Sequence, residues 1–186
     1  MLEQGVQDTV GAYVNVTRTA RLLLRQLEVS DSRFILELLN EAGFLRFIGD
    51  KGVRTLADAR EYILKGPIDS YVHNGFGLYA ACLSDGTPIG ICGLVKRDGL
   101  ADVDVGFAFL LRYTAKGYAV ESAAAVLAHA QEQLRIRRIV AITAPDNLSS
   151  IAVLEKIGLK FERRVRLAPQ APELNLYATA QQGNLS

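Results

Sequence analysis

The chain has 186 residues, a formal net charge of +1, and 49% hydrophobic and 22% charged residues, the balance of one soluble globular domain with a proper core. The near-neutral charge excludes a surface built throughout for nucleic acid, and no apolar run approaches the roughly 20 residues of a membrane span. Two cysteines, Cys82 and Cys92, sit in apolar strand-like runs and read as buried small hydrophobes, neither a disulfide nor a metal pair.

Residues 1–16 carry little pattern and are expected to be an arm; no basic start leads into an apolar stretch, so no signal peptide is expected. With the cysteine usage, this points to a reducing, cytoplasmic setting. Residues 19–27, rich in Leu and Arg, predict a first strand. Ser30 or Asp31 caps a helix carrying Phe34, Ile35, Leu38 and Leu39 at helical spacing, which ends near Gly43. Residues 43–54 read as a connection. A second helix over 55–65 is capped by Thr55 and stopped by Gly66 and Pro67, and residues 68–77 read as a polar, aromatic loop.

Residues 78–83 and 89–95 are two strands around an Asp85-Gly86 hairpin signal. Residues 102–111 form the next strand, beginning with Asp102 and Asp104 in alternation. A long helix follows over about 118–130, then a strand over 136–143 and a helix through Ile157 with Gly158 at its C-cap. Strands over 159–167 and 174–179 and a polar tail over 181–186 complete one α/β domain, residues 17–180, with a mixed sheet.

The organising stretch is the strand–turn–helix of residues 105–130. Its turn places Lys116 and Gly117 where the helix begins. Unpartnered N–H groups and the helix dipole make such a start an anion site, and glycine leaves the backbone approachable; the alternative is an ordinary glycine loop. A Walker loop needs glycine before lysine and Ser or Thr after, whereas here Tyr118 follows Gly117. No GxGxxG follows a strand either. Phosphoryl and hydride transfer both lose ground.

TAKGYA (residues 114–119), followed one strand later by PDNLSSIAVLEKIGLKFE (residues 145–162), resembles the GNAT superfamily of N-acetyltransferases, closest to its ribosomal-protein alanine acetyltransferase branch. The resemblance implies a GNAT fold: a mixed, mostly antiparallel sheet of about six to seven strands with about four helices. It implies acetyl-CoA, bound by Phe109, Leu110, Leu111 and Arg112 at the strand end and by Thr114, Ala115, Lys116, Gly117, Tyr118 and Ala119 in the turn. Thr114 stands where the family loop has Gln or Arg, which removes a side-chain anchor and keeps the backbone amides. Asn147 matches a pantetheine-contacting asparagine, or simply caps its helix.

Asp104 aligns with a family acidic residue and is the candidate base; Asp102 shares its parity and could substitute. Leu154 occupies the slot of the family's proton-donating tyrosine, and Ser150 matches a serine of the alanine branch, which makes it a candidate catalytic and cofactor-contacting residue or a serine with local backbone bonds. A backbone N–H of the strand over 102–111 is implied as the group that polarises the thioester. Phe44 and Phe47, with Tyr71 and His73, are the expected acceptor-binding residues. No metal is expected. The implied activity is acetyl transfer to a primary amine, a protein N-terminus or a small molecule, by a monomer or homodimer; the alternative is a non-catalytic acyl-CoA-binding module.

Overall fold

The computed structural model describes residues 13–180; the C-terminal tail and most of the expected arm lie outside them. The single strand expected over residues 19–27 is instead the second arm of a hairpin, β1 (Asn15–Arg18) and β2 (Leu22–Gln26). Thr19 closes the turn between them: its N–H donates to the Leu22 carbonyl at 2.8 Å and its hydroxyl accepts the Leu22 N–H at 2.9 Å. Residues 19–21 therefore leave the ladder.

Helix α1 (Ser32–Leu39) buries Phe34, Ile35, Leu38 and Leu39 as their spacing predicts. Asp31 does not cap it through its side chain. Its carboxylate is spent on a buried two-point bond to Arg25, 2.8 Å at each oxygen, and on the Glu28 N–H at 2.9 Å. The expected connection over 43–54 begins as a short helix, α2 (Ala42–Phe47), which seats Phe44 in the core. Helix α3 (Leu56–Ile63) has the expected Thr55 cap, completed by Asp58 in a reciprocal capping box.

Gly66 and Pro67 do not stop the chain. A π-helical turn (Leu64–Ile68) widens around Pro67 and leads directly into α4 (Asp69–Asn74). A wider turn accommodates a residue that has no N–H to give and whose ring would crowd an α-helical turn. The stop comes later, at Gly75, in the left-handed region at φ 74°.

Strands β3 (Leu78–Leu83) and β4 (Pro88–Val95) form the expected hairpin, followed by β5 (Val103–Phe109). Then come α5 (Tyr118–Glu132), β6 (Ile139–Thr143), α6 (Leu148–Lys156), β7 (Lys160–Val165) and β8 (Leu174–Ala178). The sheet has eight strands in the order β1-β2-β3-β4-β5-β6-β8-β7, one more than the upper expectation because of β1. Two large cores lie on its faces, with a small third cluster of Val140, Leu176 and Ala178 on β6 and β8. Leu22, Leu24, Cys92, Leu94 and Ile139 pack with α5 and with Leu154 of α6, while Ile35, Leu38 and Ile63 pack with Ala80, Cys82 and Ile91. Each fully buried Leu or Ile contributes about 1.5–3 kcal/mol. Both cysteines are free and buried, and burial pushes the Cys92 thiol up to about 12.

All neighbouring strands are antiparallel except β5 and β6, and these pair only at Val103–Ile139 and Asp104–Val140. Beyond Asp104 the two strands part. The sheet therefore opens into a wedge at their C-terminal ends.

Candidate active site

The wedge is the floor of a cavity of about 1180 Å³ that runs between the start of α5, α6, α2 and the α3–α4 region. Its lining divides into an end near α5 and an end near α3 and α4.

At the α5 end, the chain leaves β5, makes a short 3-10 turn (Leu111–Tyr113), and enters the helix through Ala115 and Gly117 at φ 58° and 84°. The Thr114 hydroxyl donates to the Leu111 carbonyl at 2.8 Å and tightens the turn. Thr114, Ala115, Gly117, Tyr118, Ala119 and Val120 line the cavity. The earliest N–H groups of α5 have no intrahelical partner, so the helix presents donors and its positive dipole end there.

Gly117 is required for a reason the sequence does not show. A Cβ built on it would point at Arg21, 3.3 Å from Nη2, and it holds a left-handed φ. Arg21 is a brace behind the loop. It donates to the Lys116 carbonyl at 3.0 Å and to Glu121 at 2.7 Å, and its guanidinium lies 4.5 Å from the Tyr118 ring centre. Glu121 also accepts from the Thr19 hydroxyl at 2.6 Å and the Arg21 N–H at 3.0 Å; though burial opposes ionisation, these donors hold its carboxyl below the usual range. On the other flank, the Leu111 N–H donates to Glu41 at 2.7 Å.

Several expected cofactor contacts fall elsewhere. Leu110 is fully buried in the core against α1 and α3, and its N–H is spent on the Ile89 carbonyl at 3.0 Å. Arg112 turns outward to pair with Glu37, and neither Arg112 nor Lys116 lines the cavity. Phe109 and Leu111 do line it. Asn147 caps α6, accepting from the Ser150 N–H at 3.2 Å and the Ser149 hydroxyl at 2.9 Å, and also lines the cavity with Ser150. Leu154, 1% exposed, fills its slot with hydrocarbon.

At the apex of the wedge sits Asp104, 1% exposed. One oxygen accepts the Ile142 N–H at 3.2 Å, across the point where β5 and β6 part, and the other accepts from Arg97 Nε. Burial outweighs Arg97 and pushes its carboxyl up to about 6. Asp102 is not an equivalent: it pairs with Arg138 at 2.9 Å, away from the cavity. On β5, the outward bond of Leu110 to β4 fixes the alternation, so the N–H groups of Phe107 and Phe109 face the side that β6 has left.

The acceptor-side expectations divide as well. Phe44 and Phe47 line the cavity. Tyr71 does not: its hydroxyl donates to the Leu78 carbonyl and accepts from the Leu27 N–H at 3.0 Å, and its ring stacks on Tyr79 at 5.7 Å. His73 is an exposed partner of Asp69, 3.1 Å away. The loop expected there is helix α4, which sends Tyr71 and His73 away from the cavity and brings Asp69, Ser70 and Asn74 to it. Lys51, Tyr62 and Arg97 also line this end. Arg97 is the one whose signal was readable, because a strand turn over residues 96–101 returns it beside Asp104.

Arg138 pairs with Asp102 and Glu162, and Arg164 with Glu173, so these two cations are spent within the fold. No helix among the described residues is long and apolar enough to cross a membrane, and among those residues no three His, Cys, Asp or Glu side chains gather as a metal site.

An α/β domain whose central sheet parts beside an amide-lined helix start has the architecture of acyl-coenzyme A-dependent acetyltransferases. The model of the acetyltransferase (GNAT) domain matches residues 21–160, and the chain belongs to that family. It is 30% identical over 144 residues to the uncharacterized N-acetyltransferase YnaD of Bacillus subtilis, covering 77% of this chain and 82% of that one. An acetyltransferase from Agrobacterium tumefaciens superposes with a TM-score of 0.74 at 25% identity, covering 95% of this chain and 100% of the other. RimL, a ribosomal L7/L12 alpha-N-protein acetyltransferase solved with coenzyme A, shares the fold with a TM-score of 0.77 at 18% identity, covering 88% and 96% of the two chains.

Proposed function

We propose that the chain is an N-acetyltransferase that passes an acetyl group from acetyl-CoA directly to a primary amine, the α-amine of a protein N-terminus or of a small molecule. The observation that carries this reading is that Asp104, poised near neutrality, shares one cavity with the amide cradle of α5.

When bound, acetyl-CoA supplies the acetyl group as an activated thioester. The residues present fit it: the α5 amides and the left-handed Gly117 suit a pyrophosphate, and Asn147 and Ser150 flank the path toward the wedge. In this reading the N–H groups of Phe107 and Phe109 are donors for the oxygen that gains charge during transfer. Asp104 takes the ammonium proton. Its near-complete burial routes that proton through water. An α-amine, with a pKa near 8, asks less of such a base than a lysine side chain near 10.4. Leu154 offers no proton to a departing thiolate, and Ser150 lines the cavity where one could be given.

A second reading, a non-catalytic acyl-CoA-binding module, draws on two observations: Asp104 is held on both oxygens, and a buried Leu154 fills the slot where the resemblance implies a proton donor. Thiol release from acetyl-CoA with peptides, amino acids, polyamines and aminoglycosides separates the two. Amine-dependent release is expected. Acetyl-CoA binding without release across the panel would overturn the transferase reading.

A further inference from the structure

The end of the cavity beyond Asp104 brings three donor side chains, Lys51, Tyr62 and Arg97, to one region of its lining. Lys51 lines it from a tight turn between α2 and α3, in which the Gly52 N–H donates to Asp50 at 2.8 Å and Asp50 pairs with Arg54. Asp50 is thus committed to its own turn. Among the described residues Lys51 has no carboxylate partner. Partial enclosure and the nearby charge of Arg97 both hold its ammonium below the usual lysine pKa, the signature of two cations sharing one space.

Arg97 spends only Nε on Asp104. Its Nη2 lies 4.0 Å from the position a Cβ would take on Gly106, a residue of the cavity floor, so the far edge of the guanidinium reaches over β5 into the cavity. Tyr62 lines the same region, and burial raises its phenol pKa, which keeps it a neutral O–H donor. Of the carboxylates nearby, Asp104 is engaged by Arg97 and the Ile142 N–H, and Asp69 stands exposed at the rim, 3.1 Å from His73 Nδ1. An ammonium, a guanidinium edge and a phenol around one space are complementary to a planar anion, and a guanidinium fork matches a carboxylate in particular.

We propose that the acceptor amine carries a carboxylate on the same molecule, and that Lys51, Tyr62 and the free edge of Arg97 form the subsite that binds it while the amine faces Asp104. The subsite excludes polycationic amines by like-charge repulsion. It rests on the amine-acceptor reading above, and its chemistry is met by a free α-amino acid or by a peptide N-terminus with an acidic residue close behind.

Two matched pairs distinguish those sources: alanine against alaninamide, and Ala-Asp-amide against Ala-Asn-amide. Calorimetric binding of each to the coenzyme A-loaded protein needs no turnover. In at least one pair the carboxylate member is expected to bind about tenfold more tightly, the scale of one charge-assisted hydrogen bond, and in Lys51→Gln that ratio collapses toward one. With acetyl-CoA the same ratio is expected in KM. Equal binding within both pairs, or a ratio unmoved by Lys51→Gln, overturns the subsite. Selective binding with no acetylation supports the subsite and overturns the transferase reading instead.

Discussion

The two ends of the cavity are made of different material. The α5 end is main chain: helix amides, a left-handed glycine and a 3-10 turn, clamped from behind by Arg21 and Glu121 and on the other flank by Glu41. The far end is side chains, with Lys51 from the α2–α3 turn, Tyr62 from α3, Arg97 from the β4–β5 turn and Asp104 from β5. A main-chain cradle tolerates exchange of most residues that form it, so Thr114 can stand where the family resemblance implies Gln or Arg. A side-chain end is redefined by single substitutions. In the function proposed above, the first end would hold the common ligand and the second would set what is particular to this chain.

The sharpest way to break that contrast is at Asp104. Asp104→Asn is expected to lower kcat by about 10²- to 10⁴-fold, the usual range for a lost general base, with acetyl-CoA affinity nearly unchanged. The parent profile should carry its sign: the carboxyl, raised to about 6, acts as base when ionised, so this group's contribution to kcat/KM is lost as pH drops through about 6, separately from any change set by the acceptor amine's own pKa near 8. The variant should lack that limb. A profile identical in parent and variant would remove Asp104 as the base.

At the main-chain end, Gly117→Val must hold a β-branched residue at φ 84° with its Cβ against Arg21. Strain of about 1–3 kcal/mol predicts acetyl-CoA binding weaker by about tenfold to a hundredfold in calorimetry, through displacement of the brace and not through filling of the cavity. Native affinity in this variant would mean the loop is not the cradle. The smallest effect is expected at Glu121→Gln. The Arg21 pair is half exposed on the arginine side and worth up to about 1 kcal/mol, so KM for acetyl-CoA should rise about two- to fivefold while acceptor KM stays in place. A change confined to acceptor KM would contradict the brace.

What could be read from the residues follows the same division. The Asp85-Gly86 turn, the Thr55 and Asn147 caps, and the helix start at Gly117 are local signals, each determined by a few neighbouring residues. The α4 segment was hidden because Gly66 and Pro67 normally break a helix, and a π-helical turn absorbs them. With the helix unrecognised, Tyr71 and His73 looked available when Asp69, Ser70 and Asn74 in fact face the cavity. The Arg21–Glu121 brace joins residues a hundred positions apart; no spacing rule reaches that far. Leu110 misleads for a subtler reason: one position along a strand turns a side chain to the opposite face.

The two-rung pairing of β5 with β6 gives Asp104 a second duty. Its bond to the Ile142 N–H is in effect a third rung between the five-stranded and three-stranded parts of the sheet, stapling the cleft at its narrow end. Asparagine retains an oxygen able to accept that N–H, so the staple survives while the proton acceptor is lost. Alanine removes both, leaving a seam with only two paired positions to set how wide the cleft opens and how fast its amides exchange with solvent. The proposed chemistry and the mechanical integrity of the seam would then meet in one carboxylate, and only the isosteric substitution separates them.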